Sequence, residues 1–140
     1  MSSEVCQQLV RNLIDAWNAH DVDRVVALYA PDYEETDVAV AEPQRGPDAI
    51  RRTMRRYLLA FPDLHIAADE AVIQAPCIAL AWTLSGHHGG ILLNIPATGR
   101  LVQVRGVSLM TIDDTGLILR LQRIWDLAGL LRAIGLLPEL

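Results

Sequence analysis

A few side chains stand apart by type and position: Asp126, the adjacent pair His87 and His88, the acid Glu35, and Arg105. Asp126 ends an alternating stretch and directly precedes the apolar run Leu127 to Gly135. Alternate residues of a strand share a face. Asp126 therefore stands with Ile124 and Gln122, and not with Trp125 or Arg123. Turned inward among aliphatic groups, its carboxyl loses water, and its pKa rises toward the working range of a general acid/base. Ile124 and Gln122 would then touch the same substrate. The rival reading is local: an Asp just before a helix is a preferred N-cap. Neither face of this strand is cleanly polar, so alternation does not choose between them.

His87 and His88 must point to opposite sides of a strand. One of them, His88, is the candidate proton donor to a substrate oxygen. His87 is then a contact at the cavity mouth or a solvated loop residue. No His-x-x-x-His spacing and no cluster of acids accompanies them, so no metal is expected. Glu35 is a possible pocket acid or a solvated strand-end acid. Arg105 lies mid-strand in an otherwise apolar segment and could pair with an acid such as Asp126. Trp17, Tyr33, Met54, Trp82 and Trp125 are the bulky groups able to wall a cavity, although such residues serve first as core. Arg51, Arg52, Arg55 and Arg56 fall on the solvated side of a helix.

These groups need elements to hold them. Residues 3–19 carry Cys6, Leu9, Val10, Leu13, Ile14 and Trp17 at helical spacing. Asp21 caps a short second helix with Val22, Val25, Val26 and Tyr29 inward, ended by Pro31. Residues 32–40 read as a short strand, and Pro43 to Pro47 as a turn-rich connection. A third helix with Asp48 in its first turn runs to Pro62, with Ile50, Met54, Tyr57, Leu58 and Phe61 facing inward. The period then changes to two. Strands are predicted around Leu64 to Ala68, over 76–85, 100–112 and 117–126, with Asp113 to Gly116 as a hairpin turn. Leu127 to Gly135 is a short closing helix. Helices first and strands after define an α+β domain. The expected form is one domain, residues 1–140, cone-shaped, with a strongly curved antiparallel sheet packed around the N-terminal helices and enclosing a cavity.

Composition bounds the rest. Of 140 residues, 51% are hydrophobic and 21% charged, more apolar mass than one small core needs. Either an apolar pocket or a subunit interface absorbs the excess. A net charge of −5 argues against nucleic acid as a partner. Cys6 and Cys77 lack metal or redox spacing, as for free thiols in a reducing cytoplasm. No run of about 18 apolar residues is present, so no membrane span is expected. The N-terminal segment has no apolar core of a signal peptide. A cytoplasmic location follows as an expectation.

Five segments occur in order: AWNAHDVDRVVALYAPDY, RGPDAIRRTMRRYLLAFPDLHI, AWTLSGHHGG, NIPATGRLVQVRGVSLMTIDDTGLI and IWDLAGLLRAIG. Together they resemble the SnoaL-like polyketide cyclase family over nearly the whole chain. That family shares its fold with ketosteroid isomerase and nuclear transport factor two. The resemblance implies an enzyme without metal or organic cofactor that closes rings of a hydrophobic, carbonyl-bearing substrate by intramolecular aldol condensation. It also implies Asp126 as the acid/base. The chain departs from the family at Glu35-Thr36-Asp37, where the family's His is absent. Isomerisation, hydroxylation and epoxide hydrolysis are alternatives on the same fold. Epoxide hydrolases of this fold use an Asp-Arg-Asp arrangement, for which no second Asp at matching spacing is evident. A non-catalytic binding or dimerisation module is the other alternative. A homodimer through the sheet is expected on either reading, with Val102, Val104 and Met110 suited to the interface. An open cavity ending at Asp126 would favour the enzyme; a pocket filled by its own side chains, with Asp126 capping, would favour the module.

Overall fold

The computed structural model describes residues 2–140. The N-terminal helix α1 (Ser3–Asn18) starts where the Ser2 hydroxyl accepts from the Val5 amide, 3.1 Å. Its stripe of Cys6, Leu9, Val10 and Leu13 is buried. Helix α2 (Val22–Val26) is capped by Asp21, whose carboxylate accepts from the Arg24 amide. Tyr29 opens strand β1 (Tyr29–Asp37) instead of continuing α2. Pro31 lies inside that strand, within the register break between Tyr29 and Glu34. A proline has no N–H to give to a ladder, so it sits where pairing is already interrupted.

The turn-rich segment contains a two-residue strand, β2 (Gln44–Arg45). Gly46 then takes a positive φ of 75°, and Pro47 starts helix α3 (Pro47–Ala60). Strands β3 (His65–Gln74), β4 (Cys77–His87), β5 (Leu101–Ile112) and β6 (Ile118–Trp125) follow, then helix α4 (Leu127–Ala133). The β5–β6 turn is the expected one: the Asp113 carboxylate accepts from the Thr115 and Leu117 amides, and Gly116 has φ 88°.

The order across the six-stranded sheet is β2-β1-β6-β5-β4-β3. This corrects the all-antiparallel expectation, because β1 runs parallel to β6. The chain reaches that pairing through α3 and four intervening strands, a crossover that local patterns do not encode. α1, α2 and α3 pack with one face of the sheet around a core that includes Tyr33, Ile50, Met54, Ile78 and Met110. A second cluster, with Phe61, Leu64, Leu84, Val102 and Leu130, fills the end near α4. Val102, Val104 and Met110 are buried on this inner face, so they are core and not an interface. Asn18 ties the end of α1 to β3 by two hydrogen bonds with the Ile66 backbone, 2.9 and 2.7 Å. No helix among the described residues is long and apolar enough to cross a membrane.

Candidate active site

Between the helices and the inner face of the sheet lies a cavity of about 90 Å³. Leu13, Ile14 and Trp17 of α1 and Thr53 and Tyr57 of α3 line its helical side. Leu80, Trp82 and Leu84 of β4, Val104, Ser108 and Met110 of β5, and Leu121, Arg123 and Trp125 of β6 line its sheet side. Gly106 lies between Trp82 and Trp125 in the sheet register, and a Cβ there would fall 2.5 Å from the Trp82 ring. A glycine at this point lets the two indoles cover the backbone.

The apolar walls end in a polar cluster. The Arg123 guanidinium donates to Glu35 Oε2 at 2.7 Å and lies 3.5 Å from Asp37 Oδ2. The Tyr33 hydroxyl donates to the other Glu35 oxygen, 3.3 Å, and Trp125 Nε1 donates to Asp37 Oδ1, 2.9 Å. Tyr29 meets Tyr33 edge-on, with ring centroids 4.7 Å apart. Trp82 Nε1 donates to the Ser108 hydroxyl, 3.0 Å. Burial opposes the charge of Arg123, but the Glu35 carboxylate together with Tyr33 and Tyr29 outweighs it, and the guanidinium is held firmly as a cation. Burial raises the pKa values of Tyr29, Tyr33 and Tyr57 above the ordinary phenol value, Arg123 partly opposing the rise. All three remain neutral hydroxyls at physiological pH. The cavity thus joins apolar aromatic walls to a buried cation and neutral donors. That set can hold a carbonyl oxygen and the negative charge that develops on it.

The expected site residues divide between this cavity and other places. Trp17 and Trp82 line it. Tyr33 and Glu35 stand behind Arg123 in the polar cluster. Met54 is fully buried core and does not line the cavity. Asp126 lies off the cavity: it is exposed and caps α4, its carboxylate accepting from the Gly129 amide at 2.8 Å. Gln122 and Ile124 share its outward face and are exposed, while Leu121, Arg123 and Trp125 turn inward. The acid/base role expected for Asp126 required the opposite arrangement, so its geometric condition fails. Arg105 is also exposed on the outer face, in a shallow open groove with Asp69, Glu70 and Asp126. It makes no ion pair among the described residues, and its carbonyl accepts from the Asp126 amide.

His88 is fully buried, but in the excursion between β4 and β5 and away from the cavity. Its Nδ1 lies 3.0 Å from the Thr98 hydroxyl and accepts from the Thr98 amide at 3.3 Å. His87, on the opposite side, is exposed with its ring 2.6 Å from Asp63. Hydrogen bonds from His87 hold the Asp63 carboxyl below its usual range. The two histidines therefore anchor a connection. No group of three or more His, Cys, Asp or Glu among the described residues is arranged to hold a metal ion.

Four residues of the polar end escaped the sequence reading: Tyr29, Tyr57, Arg123 and Asp37. The one local signal was Arg123 itself, a lone cation alternating with Leu121 and Trp125.

The sequence model of the SnoaL-like polyketide cyclase family matches residues 7–134. Aklanonic acid methyl ester cyclase DnrD of Streptomyces peucetius is 29% identical over 138 residues, covering 96% of this chain and 92% of that protein. TsrD of Streptomyces laurentii superposes with a TM-score of 0.87 at 30% identity, covering 98% and 99% of the two chains. AclR of Streptomyces galilaeus shares the fold, with a TM-score of 0.89 at 23% identity over 99% and 90% of the chains. The chain belongs to the SnoaL-like polyketide cyclase family. It is an enzyme of the cyclase type, as its curated relatives are.

Proposed function

We propose that the protein closes a ring in a hydrophobic polyketide by intramolecular aldol condensation, without a cofactor, in the cavity between helices and sheet. The observation that carries this reading is the buried Arg123 at the polar end of an otherwise aromatic and aliphatic cavity. A carbonyl oxygen placed there meets a fixed cation and the Tyr29 hydroxyl. The guanidinium is already oriented before charge develops, and a preorganised donor of this kind stabilises an enolate more than the ketone before it. Flat aromatic substrates suit the indole and phenol walls. A cavity of about 90 Å³ is small beside common ligand sites. A polycyclic substrate therefore enters by displacing side chains such as Trp17 and Tyr57.

The test is turnover of a polyketide β-carbonyl ester by the wild type and by Arg123→Gln. Cyclisation is expected in the wild type, with a loss of about 100- to 1,000-fold in the variant. Equal rates in the two proteins would remove Arg123 from the reaction. The same preparations answer a second reading. Glu35 and Asp37 flank Arg123 as acid, guanidinium and acid, which favours epoxide hydrolysis as the alternative. A diol formed from an apolar cyclic epoxide, with no cyclised product from the ester, would select it.

We also propose that a second copy of the chain covers the outer face of the sheet. Leu101, Leu109 and Ile124 are exposed there, on strands β5 and β6. Sedimentation at micromolar concentration is expected to give a dimer, and Leu109→Arg to give a monomer. A wild-type monomer would refute the pairing.

A further inference from the structure

We propose that the proton-transfer group of this cyclase is Asp37, at the end of β1, and not Asp126. The inference rests on the reading of the interior cavity as the reaction site.

Among the described residues two carboxylates pair with Arg123, which lines the polar end of the cavity: Glu35 and Asp37. Glu35 is fully engaged. It is 3% exposed, with one oxygen 2.7 Å from the guanidinium and the other taking the Tyr33 hydroxyl. Asp37 is held differently. Its Oδ1 accepts from Trp125 Nε1 at 2.9 Å and from the Ala39 amide at 2.8 Å, which fixes the direction of the carboxylate. Its Oδ2 has only the long 3.5 Å contact to Arg123 and keeps a lone pair free. Both donors that orient Asp37 from β6, Arg123 and Trp125, line the cavity.

Charge supports the same choice. Two carboxylates face one guanidinium, so the cluster carries one negative charge in excess. Glu35 neutralises Arg123 at the shorter distance. Asp37 can therefore accept a proton without stripping the cation of its partner. The charged and titratable groups facing Asp37 are Arg123 from β6, Glu35 from its own strand and Tyr57 from α3. Asp126 has neither feature. Its carboxylate is spent on the Gly129 amide, on the far face of the sheet.

The step balances within the substrate. Asp37 takes the proton from the carbon between two carbonyls, and the C–H electron pair passes to the enolate oxygen held at Arg123 and Tyr29. The enolate carbon then bonds to the second carbonyl carbon of the same molecule. The π pair of that carbonyl becomes an alkoxide, which takes the proton back from Asp37. Nothing else is consumed.

The experiment follows deuterium uptake at the activated carbon of an aryl β-keto ester by NMR, with cyclisation measured alongside. Wild type is expected to exchange and to cyclise. Asp37→Asn should lower both by at least about 100-fold, the usual span of one general acid/base. Binding of the ester, read from tryptophan fluorescence, should persist. Asp126→Asn should exchange at the wild-type rate. Trp125→Phe, which removes the N–H that directs the carboxylate, should lower the rate of exchange more than it weakens ester binding. Wild-type exchange in Asp37→Asn, or wild-type exchange in a folded Trp125→Phe, would overturn the role of Asp37 and leave the cyclase reading standing. Absence of exchange and cyclisation in wild type would overturn both.

Discussion

The two faces of β6 carry similar residues and have opposite fates. Leu121, Arg123 and Trp125 look inward; Gln122, Ile124 and Asp126 look outward. Each set holds one charged group, one apolar group and one that could be either. Arg123 is nevertheless buried against Glu35, while Asp126 is exposed and bonded to the backbone two residues inside α4. Residue type did not decide which charge works in the cavity. The decision came from which side of the strand the helices cover. A charge on the covered side must be paired to be tolerated, and once paired in a dry site it interacts strongly. The same kind of group on the open side is screened and does local work.

This contrast can be broken by mutation. The largest expected effect is at Arg123. Arg123→Met strands Glu35 without its cation and should lower unfolding free energy by about 3–5 kcal/mol. Arg105→Met on the outer face should stay within about 0.5 kcal/mol of wild type. Urea denaturation of the two variants checks both, and comparable losses would erase the distinction between faces. A smaller effect is expected at the α4 cap. Asp126→Ala should cost about 0.5–2 kcal/mol and Asp126→Asn much less, since Asn also caps. Neither should change the rate of cyclisation beyond its loss of folded protein. A large fall in kcat for the Asn variant at full folding would return Asp126 to the chemistry.

Most elements were legible because their signals are local. The stripe of α1, the Asp21 cap, the Asp113 turn and the alternation of Ile78, Leu80, Trp82 and Leu84 lie within a few residues of one another. The polar end of the cavity was not legible for the converse reason. Asp37 and Arg123 are 86 residues apart and become neighbours only through the parallel pairing of β1 with β6. No second Asp at matching spacing marks an epoxide-hydrolase pattern in the sequence. The acid–Arg–acid arrangement assembled instead from Glu35, Arg123 and Asp37. His88 was legible as a histidine at a strand end but not as one buried against Thr98, because its surroundings come from the returning loop.

The order of segments in the sequence carries the family, the helix and strand boundaries, and Asp126 as a possible cap. Alternation also placed Asp126 with Gln122 and Ile124, as the structure has it. What alternation cannot supply is the sign of a face. A strand has two sides of equal period, and here each mixes polar and apolar residues. Only packing of α1 and α3 against the sheet turned Arg123 and Trp125 toward the cavity and left Asp126 outside. Burying one side of β6 under the helices is a tertiary event, and it placed the cation and its carboxylates where chemistry can occur.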